Sequence, residues 1–400
     1  MLSKFQEFFI KLPKFFLNDN LIIMNSIISP SSILKDLISF RSVTPCDGDC
    51  QKYIVDFLGN LEFKAKKIEK NGIINHWIIN QKCDHRTLLY ACHTDVVPAD
   101  SNDWRTPPFE GTINKKVFYG RGACDMKGSI AAMLAALKEL KYEGFKTNVA
   151  WIVTGDEEGD AEFGTKYVIK KQNAQIQKIR SALVGEPTSE EHLGDVLKNG
   201  RRGSLNLFIE VHGLAGHAAY QENAKNPINV LVKIINELST LSWGKVHSYF
   251  PQTSFCVSQL QSGNQTFNQT PQTAIARLNW RFSPTISPSD IKSAVVNTVN
   301  RFCKDYKLLW KESALPFFTK PDKLHRIISE SIFDVCGIRP KTKTNGGTSD
   351  ARFLKGIIPE IIEFGLINKT AHQPNESVTC SELDQLKEIY KRILKNYSVK

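Results

Sequence analysis

A chain of 400 residues, 41% hydrophobic and 23% charged, has ordinary globular composition and the length of two or three domains. Its 52 basic against 41 acidic residues give a net charge of +11, but the lysines are scattered without a run of five or six, which argues against a nucleic-acid partner and leaves an anionic small molecule. Nine cysteines, an odd number without a C-x-x-C, exclude a regular disulfide framework and point to a reducing cytoplasm. On that reading the sequons at Asn264, Asn268, Asn368 and Asn375 are accidental.

Residues 1–30 are rich in Phe, Ile and Lys, yet charged and amide residues break every apolar run, so no signal-type segment is expected. No stretch of about 18 apolar residues is present to cross a bilayer. This segment stays unassigned, with Met24 as a candidate start. From Ser31 the patterns alternate between helix and strand, which predicts an α/β layer structure. Helices are expected over Ser31–Phe40 and Gln51–Leu61, then a buried strand over Leu88–Cys92. That strand delivers His93 and Asp95 to one side, since side chains two apart share a face. A ligating imidazole with a carboxylate behind it has this spacing.

The Pro107-Pro108 loop leads to Gly120-Arg121-Gly122-Ala123-Cys124-Asp125-Met126-Lys127-Gly128, with Asp125 placed just before an apolar helix. An isolated aspartate there would cap the helix; paired with His93 it is a candidate bridging ligand. The strand Asn148–Thr154 ends in Asp156-Glu157-Glu158, and Ala182–Val184 ends in Gly185-Glu186-Pro187. Adjacent carboxylates repel unless a cation or solvent relieves them. They also supply a ligand and a general base side by side. Ligand-type residues at the carboxyl ends of strands are where an open α/β sheet places its site.

Around Asn199 the pattern changes. Leu205, Leu207, Ile209 and Val211 alternate with more polar residues, as do Ala274 to Phe282, with helices at Asn226-Pro227 and Ser289–Phe302. A separate α+β domain inserted into the first is expected over 203–314, dividing the other domain into 31–202 and 315–400. The loop Asn345-Gly346-Gly347-Thr348-Ser349-Asp350 is suited to holding a carboxylate through backbone N–H groups. His372-Gln373-Pro374-Asn375-Glu376 follows the strand Ile361–Gly365. Ser381 with Asp384 has capping-box spacing for the last helix.

Five ordered motifs, His93-Thr94-Asp95, Gly122 to Gly128, Asp156-Glu157-Glu158, Gly185-Glu186-Pro187 and His372 to Glu376, resemble those of the dinuclear-zinc aminoacylase and carboxypeptidase-type hydrolases. The likeness runs from Ser31 to the C-terminus. It implies a zinc-peptidase-like catalytic domain with an inserted dimerisation domain, in a homodimer holding two Zn²⁺ per subunit, with Co²⁺ accepted at one site. Residue by residue, it implies that His93 and Glu186 hold one ion, Glu158 and His372 the other, and Asp125 both. Glu157 would be the general base and Asp95 the residue orienting His93. His217 would stabilise the oxyanion from the partner subunit.

Lys198 to Ser204, Gly216 to Tyr220, Arg281 and Gly346 to Asp350 narrow the likeness to deacylases of dicarboxylate substrates. The implied substrate contacts are Arg281 with Arg201 or Arg202, Asn268, Gly347, Thr348 and Ser349. Asn268 is the less secure of these, because Asn268-Gln269-Thr270-Pro271 departs from the family's more apolar sequence. Other deacylases or carboxypeptidases of the family, and a non-catalytic binding protein of the same fold, are the competing readings.

Overall fold

A computed structural model describes residues 28–263 and 266–399. The candidate start at Met24, nearly all of the unassigned N-terminal segment and the sequon residue Asn264 lie outside the described residues. The described residues divide into two compact units, one up to residue 197 together with 321–341 and 356–399, the other of 198–320 and 342–355.

The first unit is built on an eight-stranded sheet. Its strands run in the order Lys64–Lys70, Ile73–Ile79, Val149–Thr154, Leu88–His93, Ser181–Val184 and Glu360–Glu363, with two short strands completing the far edge. The last four of those named pair in parallel. They are buried along their whole length, which is why they read as continuous apolar runs and not as alternations. The helix Gly128–Tyr142 is apolar around most of its circumference, from Ile130 to Leu137, and so must be covered on all sides. Pro30–Ser39 and the C-terminal helix Cys380–Val399 supply the cover. Together they form one core with Ile33, Leu37, Leu134, Leu386, Ile389 and Ile393.

One capping expectation is corrected. The last helix begins at Cys380, and its box is formed by Thr379 and Glu382: the Glu382 N–H donates to Thr379 Oγ1 at 3.1 Å and the Thr379 N–H donates to the Glu382 carboxylate at 2.7 Å. Ser377–Thr379 pairs as a strand with Val117–Tyr119, which fixes the helix start immediately after it and puts Ser381 and Asp384 inside the helix.

The second unit is α+β. A four-stranded antiparallel sheet in the order Ser254–Ser262, Thr273–Phe282, Gly203–His212 and Tyr306–Ala314 places Leu205 opposite Trp280, Leu207 opposite Leu278 and Ile209 opposite Ala276. Those side chains share one face, which forms a core with Leu231, Ile234 and Leu238 of Pro227–Thr240 and with Ile291, Val295 and Val299 of Pro288–Phe302. Segment 342–355, with the glycine loop, belongs to this unit although it lies far along the chain.

Thr379→Ala is expected to lower stability by about 1 kcal/mol, and Ser381→Ala by less than about 0.5 kcal/mol, in urea unfolding followed by circular dichroism. Equal losses would contradict the Thr379 cap.

Candidate metal centre

The buried strand Leu88–His93 carries His93 to the carboxyl edge of the sheet, where its ring is 2% exposed. Nδ1 donates to the backbone carbonyl of Asp95 at 2.9 Å, which turns the Nε2 lone pair outward as a ligand. The Asp95 carboxylate itself stands 3.7 Å from Nδ1, beyond hydrogen-bond reach. It accepts instead from the backbone N–H groups of Glu157 and Glu158, at 3.2 and 3.0 Å. Asp95 therefore orients the ring through its main chain and fixes the acidic loop through its side chain. Burial raises its pKa to about 6.

Asp125 occupies a break in the backbone between Gly122, at φ 86°, and the long helix. A Cβ on Gly122 would lie 2.8 Å from Val96, so both the turn and the space require glycine. Asp125 leaves helical geometry, at φ −121° and ψ 93°, and so aims its carboxylate across the site where a helix cap would have turned it back. One oxygen stands 3.2 Å from His93 Nε2 and the other 3.3 Å from His372 Nε2. Glu186 Oε1 is 3.8 Å from His93 Nε2, and Glu158 Oε1 is 2.9 Å from His372 Nε2. Gly185 allows this approach of Glu186, since a Cβ there would come within 2.3 Å of Tyr90 Oη.

Two overlapping sets result, His93–Asp125–Glu186 and Asp125–Glu158–His372, each with its donor atoms within 4.8 Å of one another and Asp125 common to both. Glu157 joins His93 and Glu158 in a third set. Asp156, the first of the three adjacent acids, is turned into its own loop, where it accepts from the Phe163 N–H at 3.0 Å. Cys124 is buried and meets Thr370 at 3.9 Å; among the described residues it enters none of the sets.

The electrostatics call for a cation. Burial by itself would lower the pKa of His93, but the Asp125 hydrogen bond and the charges of Glu157, Asp125 and Asp95 raise it well above the usual imidazole range. Hydrogen bonds to Asp125 and Glu158 lift His372 to about 10. Burial opposes ionisation of Asp125, yet its two histidine partners hold its carboxyl below the usual range. Imidazole and carboxylate donors converging in this way fit two divalent ions of the zinc type.

The second unit, taken by itself, carries the expected substrate contacts in two groups, the arginines with the glycine loop and His217 with Asn268. Arg201 is buried and donates to the Gly347 carbonyl at 3.2 Å, while Lys198 donates to the Asn345 carbonyl at 3.0 Å. These two cations pin the glycine loop that includes Gly347, Thr348 and Ser349. Burial and the neighbouring Arg201 lower the pKa of Arg281, and burial with Arg281 does the same for Arg202. Arg202 is tied to the Gln252 carbonyl and Ser254 hydroxyl at 3.1 and 3.2 Å. His217 is exposed and pairs in a short ladder with Gln269, while the Ala218 N–H donates to the Asn268 carbonyl at 2.8 Å.

Glu376 was given no separate role by the sequence, although it closes the same motif as His372. It is 1% exposed and accepts hydrogen bonds from the backbone N–H groups of Gly122, Cys124 and Asp125.

Residues 89–396 match the model of peptidase family M20/M25/M40, and the chain belongs to that family. It is 40% identical over 363 residues to the succinyl-diaminopimelate desuccinylase of Pseudomonas fluorescens Pf-5, covering 90% of this chain and 95% of that one. Its fold is similar to that of an M20 family metallo-carboxypeptidase from Sulfolobus solfataricus, with a TM-score of 0.80 at 20% identity over 92% of this chain and 98% of that chain. A dinuclear metal-binding M20 peptidase from Bacillus subtilis gives a TM-score of 0.67 at 14% identity, over 94% and 98% of the two chains.

Asp125→Ala is expected to reduce the divalent metal retained after dialysis from two ions per chain to one or none, measured by elemental analysis. Retention of two would contradict a shared carboxylate.

Proposed function

We propose that the protein is a metal-dependent amide hydrolase that cleaves N-succinyl-L,L-2,6-diaminopimelate to succinate and L,L-2,6-diaminopimelate. The observation that carries the chemistry is the Asp125 carboxylate set between His93 and His372, one oxygen towards each. The substrate follows from the 40% identity, over nine-tenths of the chain, to a desuccinylase. His93 and Glu186 would hold one ion, Glu158 and His372 the other, and Asp125 both. Two zinc ions, with cobalt accepted at one site, supply Lewis acidity and lower the pKa of a water towards 7.

The rest is done by the chain's own groups. Glu157 takes a proton from the attacking water and delivers it to the departing amine nitrogen as the amide C–N bond breaks. Its backbone is held by the Asp95 carboxylate, so the base has a fixed origin. Arg201 and Arg281, like charges kept close in a partly buried setting, bind substrate carboxylates through planar paired hydrogen bonds, with Arg202 beside them. Asn268 and the Gly347-Thr348-Ser349 loop complete the polar contacts to the dicarboxylate.

His217 Nδ1 accepts from the Ala219 N–H at 3.1 Å, so the neutral ring carries its proton on Nε2 and can donate to an oxyanion. It does so from the partner subunit of a homodimer, with unit 198–320 and 342–355 as dimerisation domain. No helix among the described residues is long and apolar enough to cross a membrane. On the proposed reading the enzyme acts on a small molecule in the cytoplasm, with no nucleic-acid partner.

Zinc-loaded protein is expected to hydrolyse the succinylated substrate in preference to N-acetylornithine, to lose activity on chelation and to regain it with zinc. Cleavage of the acetylated substrate alone would overturn the acyl assignment, and cleavage of neither would overturn the enzyme reading. Glu157→Ala should lower kcat by about 10²- to 10⁴-fold with metal content unchanged.

A further inference from the structure

The loops bearing Asp125 and His372 are joined by a side chain that belongs to neither ligand set. Glu376 Oε1 accepts from the N–H groups of Cys124 and Asp125 at 2.9 and 3.1 Å, and Oε2 accepts from Gly122 N–H and Arg121 Nη1, both at 2.8 Å. Its own main-chain carbonyl accepts from Gly120 at 3.0 Å. Four of the five donors therefore converge on one carboxylate, and they span the whole turn from Arg121 to Asp125. The first N–H groups of a helix have no acceptor within it. Here the backbone also leaves helical geometry at Asp125, and the carboxylate supplies the acceptors that these N–H groups need.

Arg121 extends the clamp. It is 3% exposed, lies against the Trp104 ring at 5.2 Å, and also donates to the Gln373 carbonyl at 3.3 Å, one residue beyond His372. His372 itself holds a positive φ of 61°, in a loop closed by Thr370 and Ser377. A ligand held in that backbone region depends on what surrounds it.

We propose that Glu376 is a positioning residue: its carboxylate locks the Asp125 turn to the His372 loop and so sets the affinity of the centre for its ions. This rests on reading His93, Asp125, Glu158, Glu186 and His372 as metal ligands. A charged acceptor behind a ligand-bearing segment fixes the ligand before the ion arrives, and loss of such outer partners typically costs about 10- to 100-fold in affinity. Glu376→Gln keeps the shape but offers one acceptor oxygen where two served, and turns an amide NH₂ towards N–H donors.

The test is competitive zinc titration against a chelating dye for the wild type, Glu376→Gln and Arg121→Gln, with the thermal midpoint of each metal-free protein measured in parallel. Glu376→Gln should bind zinc about 10- to 100-fold more weakly, by more than any change in the metal-free midpoint accounts for, and Arg121→Gln should weaken it by a few-fold. A lowered midpoint with wild-type zinc affinity would overturn the proposal and leave only a structural ion pair. Should Glu376→Gln fail to fold, Arg121→Gln decides, and wild-type affinity in that variant overturns the proposal. A wild-type protein that takes up fewer than two zinc ions would instead defeat the metal reading itself, and this inference with it.

Discussion

A single carboxylate shared between two imidazoles is the constraint on which the first unit's metal-type cluster depends. Asp125 faces both His93 and His372 because its backbone leaves helical geometry after the positive φ of Gly122, and the N–H groups of this turn find an external acceptor in Glu376. Around it lie Asp95, Glu157, Glu158 and Glu186, on loops that follow three parallel strands. Like charges so close are tolerable only beside positive charge. In the protein alone, the raised pKa values of both histidines express that demand.

Rigidity is distributed accordingly. The fully buried strands fix where His93 and the acidic loop start, and Asp95 then divides its work between a carbonyl that orients the ring and a carboxylate that holds two backbone N–H groups. The second unit carries groups of a different kind. Its glycine loop is tied to the start of the unit through Arg201 and Lys198, which donate to the Gly347 and Asn345 carbonyls. The imidazole–carboxylate cluster and the arginine–glycine-loop cluster thus fall in different compact units of the chain.

Much of this was legible in the sequence because it depends on local pattern. Apolar runs ending in His93, Gly155 and Gly185 mark buried parallel strands, and the side chains after them fall at their carboxyl ends. The alternation of Leu205 to Val211 announced a sheet with one buried face. What was not legible depends on long-range partners. Thr379–Glu382 and Ser381–Asp384 both have capping spacing, and only pairing of Ser377–Thr379 with Val117–Tyr119 decides between them. Which Asp95 oxygen meets His93 is set by the approach of the 157–158 loop. Glu376 resembles any acid after an asparagine until the Asp125 turn, about 250 residues earlier, is folded against it.

Zinc-edge X-ray absorption of the fully loaded protein bears most directly on the shared carboxylate. A metal–metal vector of about 3.5–4 Å, with nitrogen and oxygen scatterers only, is expected if Asp125 bridges two ions. A single isolated zinc, or a sulfur shell from Cys124, would contradict it.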